Sequence, residues 1–159
     1  MAQTFASWVP GYSVVAEGMG TPPLGSGGHP FAEVNGFRQG FGVTFRLQAG
    51  SENWFHCPLP TPVLVEGRRA GISRVMILFR FPPGAELNQV NVYDGQSLIS
   101  VRDGLHITGD HSGGLDPSNI FDVNRDALSF GVGVTMLVRT INDADLFFSG
   151  VGGDFFHDI

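Results

Sequence analysis

A chain of 159 residues, 42 % of them hydrophobic, is long enough to enclose its own apolar core and too apolar to stay disordered. Its net charge is −6, only 15 % of its residues are charged, and all nine of its cations are arginines, of which only Arg68 and Arg69 stand together; this is the wrong balance for gripping phosphates and argues against nucleic acid as a partner. No apolar run approaches the roughly 18 residues of a membrane-crossing helix, and the first basic residue is Arg38, so the sequence predicts a cytoplasmic protein, or one exported without a cleavable signal peptide.

The opening segment carries Trp8 and Tyr12 and leads into a first candidate strand, Ser13 to Glu17. Gly18 to Pro30, with five glycines and three prolines, cannot carry a regular ladder and reads as a loop. In Phe41 to Leu47, Phe41, Val43, Phe45 and Leu47 share one face and Gly42, Thr44 and Arg46 the other, which is the period of a half-buried strand. Asn53 to Cys57 is a further candidate that places Trp54 and His56 on one face. Cys57, the single cysteine, lies among apolar neighbours and reads as a buried thiol; His56 is adjacent in sequence and therefore points the other way. Pro58, Pro60 and Pro62 remove amide donors from one side of an extended segment, a pattern that lets it pair along one edge and refuse pairing along the other.

Val63 to Glu66 and Ser73 to Phe81 follow, the second with Val75, Ile77, Phe79 and Phe81 on one face. Gln89 to Tyr93 and Leu98 to Val101 flank Asp94-Gly95, a hairpin signal, and Asp103-Gly104 separates the latter from Leu105 to Thr108. Gly109 to Ser118 reads as a second loop, with a short helical turn at Asp116 to Asn119 favoured by Pro117. After Asn119 to Val123, the clearest strand is Leu128 to Val138. There Leu128, Phe130, Val132, Val134, Met136 and Val138 line one side, and Gly131 and Gly133 leave the other nearly bare, with room for an aromatic ring to lie over them. Asn142-Asp143 should reverse the chain into Asp145 to Ser149. The tail, Gly150 to Ile159, is too apolar for a loose terminus and should fold back as a last strand or dock on another subunit.

Short strands separated by turns, with no helical periodicity, predict an all-β fold: one antiparallel two-sheet sandwich, jelly-roll-like, spanning residues 1–159 with little helix. Sparse charge and 14 phenylalanines suggest a homo-oligomer whose apolar surplus is covered by copies of itself.

Chemistry-bearing residues are few. His106, Asp110 and His111, with Asp103 and Asp116 close by, are the densest group of potential metal ligands, but their spacing matches no zinc or calcium motif, so neither metal nor other cofactor is expected. Trp54 and His56, together with Asp110, His111 and Asp116 on the Gly109 to Ser118 loop, are the candidate ligand-binding residues, because aromatic and polar rims suit sugar rings. The nucleophile-elbow, P-loop and dinucleotide fingerprints are absent, and no catalytic residue is assigned.

The stretches Trp54 to Val63, Tyr93-Asp94-Gly95 and Phe130 to Val134 resemble those of small, uncharacterised bacterial β-sandwich proteins, a resemblance that implies the fold and no activity. The function expected is that of a non-enzymatic interaction module acting by self-association or by binding a glycan or protein partner. The alternatives are a carbohydrate-binding module and a metal-dependent jelly-roll enzyme.

Overall fold

The computed structural model describes residues 2–18 and 35–158. Apart from one 3-10 turn at Gly11–Ser13, its regular structure consists of strands. In chain order these are β1 (Ala2–Pro10), β2 (Val15–Ala16), β3 (Gly36–Gln39), β4 (Gly42–Leu47), β5 (Glu52–Leu59), β6 (Leu64–Val65) and β7 (Arg68–Arg69). They continue as β8 (Gly71–Phe81), β9 (Ala85–Asp94), β10 (Ser97–Arg102), β11 (Gly109–His111), β12 (Ile120–Arg125), β13 (Val132–Thr140) and β14 (Ala144–Asp158).

All pairings are antiparallel, and two sheets enclose the core. The larger has seven strands in the order β11-β8-β14-β4-β3, with β1 added to β14 and β12 to β8. The smaller runs β10-β9-β13-β5-β2, and β6 and β7 form a separate small hairpin. This is the antiparallel sandwich that the alternation predicts.

The core follows from that alternation. Phe55, Cys57 and Leu59 of β5, Val132, Val134, Met136 and Val138 of β13, and Val90 and Val92 of β9 all point inward. They meet Val75, Ile77, Phe79 and Phe81 of β8 and Phe148, Val151 and Phe155 of β14. Phe45, Phe55, Phe148, Phe81 and Phe79 form a continuous run of ring contacts, with centroids 4.6–6.2 Å apart. Much of the phenylalanine surplus is therefore spent on the interior. Burial pushes the Cys57 thiol up to about 12, so it stays protonated and inert.

Several expectations change. The strand anticipated from Leu128 begins only at Val132. Leu128 is buried, but Phe130 is 77 % exposed instead of lining the core face. The reason is Asp94, whose carboxylate accepts the N–H groups of Ser129 (2.7 Å), Phe130 (2.9 Å) and Gly131 (3.0 Å) and bends the segment out of the ladder. Phe41 is likewise exposed, because β4 starts at Gly42. Leu105 to Thr108 is not a strand: positive φ at His106 interrupts it, and only Ile107 bridges to Leu87. Conversely, Gly109 to His111, expected as loop, pairs with Phe79 to Phe81 as β11. Asp116 to Asn119 is a turn without helix.

Among the described residues no ring covers Gly131 or Gly133, and a β-carbon at Gly133 would meet nothing within 4 Å. Rings lie close over other glycines instead, among them Gly152, where a β-carbon would lie 2.5 Å from Trp8 Cδ2. That contact seats β1 on β14, so the tail folds back as a strand, paired with β1 over Gly150 to Asp158. β5 pairs with β13 along its whole length, through Pro58, and with β2 only at Phe55 and His56. From the loop read as Gly18 to Pro30, residues 19–30 lie outside the described residues, as does Ile159. Among the described residues no helix is long and apolar enough to cross a membrane.

Candidate functional site

Residues directly opposite in an antiparallel pair project to the same side, so the ladder of the smaller sheet dictates what its outer face carries. Three rows cross it from β5 through β13 to β9: Trp54–Leu137–Gln89, His56–Thr135–Asn91 and Pro58–Gly133–Tyr93. The intervening rows, Phe55–Met136–Val90 and Cys57–Val134–Val92, face the core. At the flanks, Val15 of β2 lies opposite His56, Val101 of β10 opposite Asn91, and Leu98 opposite Tyr93. Glu17 continues the line of β2, its N–H donating to the Trp54 carbonyl at 2.8 Å.

The centre of this face is chemically organised. His56 stands between Glu17 (Nε2 to Oε1, 3.1 Å) and Thr135 (Nδ1 to Oγ1, 3.0 Å). A carboxylate can only accept, so Nε2–H donates to Glu17. With the imidazole neutral, Nδ1 then accepts from the Thr135 hydroxyl. One tautomer satisfies the whole relay, and both partners lock the ring. Gln89 Nε2 donates to Asn91 Oδ1 at 2.9 Å, which orients the neighbouring amide, and Asn91 Nδ2 has no partner among the described residues.

Glu17, Trp54, His56, Asn91, Tyr93 and Thr135 line a shallow cavity of about 150 Å³. Gly133 borders the same face between Pro58 and Tyr93, and its missing side chain leaves open space there.

An acid–imidazole–hydroxyl chain invites a hydrolytic reading, but β13 is paired on both edges around Thr135. Its backbone N–H groups are therefore consumed by the ladder and cannot themselves donate to an oxyanion. The arrangement can hold a polar ligand in a set orientation.

The candidate residues from sequence separate into two places. Trp54 and His56 meet on this face, whereas Asp110, His111 and Asp116 lie on or after β11, at the edge of the other sheet. There His111 Nδ1 contacts Asp116 Oδ2 at 2.7 Å and Nε2 contacts the Thr108 carbonyl at 2.9 Å, while the ring packs 5.1 Å from core residue Phe79. The Asp116 hydrogen bond raises the His111 pKa against the opposing effect of burial, and the Thr108 carbonyl adds to it. Asp110 is hydrogen-bonded to the hydroxyl and N–H of Ser112, which keep its carboxyl below the usual range. His106 pairs instead with Glu86 at 2.9 Å. Among the described residues no three His, Cys, Asp or Glu side chains are grouped to hold a metal ion. The loop is thus pinned by its own histidine and does not converge with Trp54 and His56.

Glu17, Asn91, Tyr93 and Thr135 escaped the sequence reading as site residues. Asn91, Tyr93 and Thr135 lie on strands that the sequence proposed and Glu17 directly follows β2, but the neighbours of each come from other strands. The signal that pointed here was the bare back of β13, read as space for the protein's own ring when it is open.

A second cavity, about 650 Å³, is lined by Asn35, Arg46, Leu47, Gln48, Pro82, Asp143, Ala144 and Asp145. It is larger but chemically poorer, since Arg46 and Asp145 are paired at 3.3 Å and Asp143 accepts the Ala49 N–H at 2.8 Å.

Residues 34–149 match the model of a family described as a family of unknown function, DUF6623. No curated protein matches the chain.

Proposed function

The chain belongs to that family, DUF6623, and from its geometry we propose that it is a non-enzymatic β-sandwich binding module that takes its ligand on the outer face of the five-stranded sheet. The observation that carries this reading is the combination of an unfilled floor at Gly133 with side chains already oriented around it. A surface that merely faced water would have no need to hold His56 from both sides, and preorganised groups bind without a large ordering cost.

The direct test is Gly133→Val. A β-branched residue suits a strand, the position has an ordinary φ, and nothing stands within 4 Å of the new β-carbon. The variant should melt at the same or a higher temperature, gaining about 0.5–1 kcal/mol from the lost glycine, while ligand binding falls. A variant that binds as well as the parent would end this reading.

A second reading, self-association, is favoured by the outer face of the seven-stranded sheet. Phe37 and Phe41 are 46 % and 65 % exposed there. Phe41 rests on Phe147 (6.1 Å), which Arg80 covers from 4.6 Å. Arg46–Asp145 and Arg74–Asp154 give the face both signs of charge, as a self-complementary surface needs.

A further inference from the structure

Building on the binding reading above, we infer that the ligand of the five-stranded face is a neutral oligosaccharide, with one sugar ring held over Thr135 and Gly133 and its neighbours reaching Trp54 and Tyr93. The charges narrow the choice first. Among the described residues the cavity is lined by one carboxylate, Glu17, and no arginine. The nearest arginine in register, Arg139, lies beyond Leu137 and is tied to Glu52 at 2.5 Å. A phosphate or carboxylate ligand would face Glu17 with no guanidinium to offset it, and an organic cation would find that carboxylate already engaged by His56.

What remains at the centre, beside an imidazole whose two nitrogens are taken by Glu17 and Thr135, is a pair of short neutral groups: the amide of Asn91 and the hydroxyl oxygen of Thr135. Together they offer donors and acceptors within one small area. Around them stand an indole and a phenol. A ligand matching both must carry alternating donors and acceptors on its edge and apolar C–H groups on its face. A pyranose ring does so, and its C–H face packs on aromatic planes.

Size then separates one ring from several. A cavity of about 150 Å³ falls well under the roughly 300–1,000 Å³ of pockets that engulf drug-sized molecules, so the enclosed part of the ligand is a single ring. Trp54 and Tyr93 are two strands apart and lie in rows separated by four residues of β13. Strand spacing and rise put their backbones about 16 Å apart. The two aromatics therefore approach from opposite ends and cannot sandwich one sugar. A short chain laid diagonally across β5, β13 and β9 touches both.

The test starts with the intact chain on an array of neutral gluco-, manno-, galacto- and xylo-oligosaccharides, followed by titration calorimetry of the binder. The expected result is that a tri- or tetrasaccharide binds more tightly than its monosaccharide. Trp54→Ala and Tyr93→Ala should each weaken the oligosaccharide roughly tenfold or more while leaving the monosaccharide within about twofold. Gly133→Val should abolish both at an unchanged or raised melting temperature. Failure to bind any neutral oligosaccharide overturns the inference, and so does equal loss of mono- and oligosaccharide in Trp54→Ala. Amide chemical-shift mapping with a library of non-sugar fragments separates this from the underlying reading. Shifts confined to the rows of Trp54, His56 and Pro58 would retain the binding face and discard the sugar. Absence of shifts there with any probe would discard both.

Discussion

Asp94 ends β9 with 5 % of its surface exposed, an expensive place for a carboxylate unless its oxygens are satisfied. Burial alone would raise its pKa. The N–H groups of Phe130, Ser129 and Gly131 outweigh that effect, helped by Arg125, and hold it below the ordinary value. Asp94→Ala leaves three amides without their acceptor and should cost about 1–3 kcal/mol, measured as a lower urea midpoint at neutral pH. The sign of the pH dependence follows from the depressed pKa. The carboxylate's contribution is complete above the unfolded value near 3.9 and is lost as pH falls through the lower folded value. The difference in midpoint between parent and variant should therefore shrink in acid, and a constant difference down to pH 2 would contradict the account. Gly133 and Gly152 illustrate the same scale in opposite senses. Among the described residues a β-carbon at the first would meet nothing within 4 Å; at the second Trp8 occupies the space. Nothing in the local sequence distinguishes them, since both sit in glycine-rich strands.

At the scale of elements, the seating of β1 on β14 depends on that second glycine. Gly152→Ala would drive a methyl group to 2.5 Å from the indole, and either the ring or β1 must shift. Overpacking of this kind costs about 1–3 kcal/mol. Amide exchange should show that protection is lost first in residues 2–10; an unchanged exchange pattern would mean the indole simply swings aside. The segment after β11 depends on His111. Its pKa is raised chiefly by Asp116, so the charged clasp is fully present below the unfolded histidine value of about 6.5 and is lost as pH rises through the folded one. Amides from Gly109 to Ser118 should thus exchange faster above that transition, beyond the ordinary base-catalysed increase, and His111→Gln should remove the step. Legibility also differs between these elements. β4, β8 and the inner face of β13 were readable because period-two alternation is imposed by the backbone itself. β11 and the start of β13 were not, because a partner strand organises the first and a distant carboxylate terminates the second.

For the whole molecule, the question is where the apolar surplus goes. The ring contacts around Phe148 place much of it in the core, which weakens the argument for oligomers drawn from composition. Exposed Phe37 and Phe41 keep that argument alive on one face. If copies associate there, light scattering at micromolar concentration should give a mass above the 17.1 kDa of one chain, and Phe41→Glu should return it to that value. A monomer at all concentrations would exclude self-association through this face.

The order of residues along the chain, taken alone, was sufficient to specify an all-β sandwich, the identity of most core positions and the inertness of Cys57. These follow from which side of an extended backbone each side chain takes, a property of neighbours in sequence. It also placed Trp54 beside His56, two positions apart on one strand. Only the tertiary structure set Glu17, Thr135, Asn91 and Tyr93 around them and removed Asp110, His111 and Asp116 to the other sheet. Strand order and register arise from packing summed over the entire interior, and residues 17, 56, 91 and 135 have no local means of recording that they will meet.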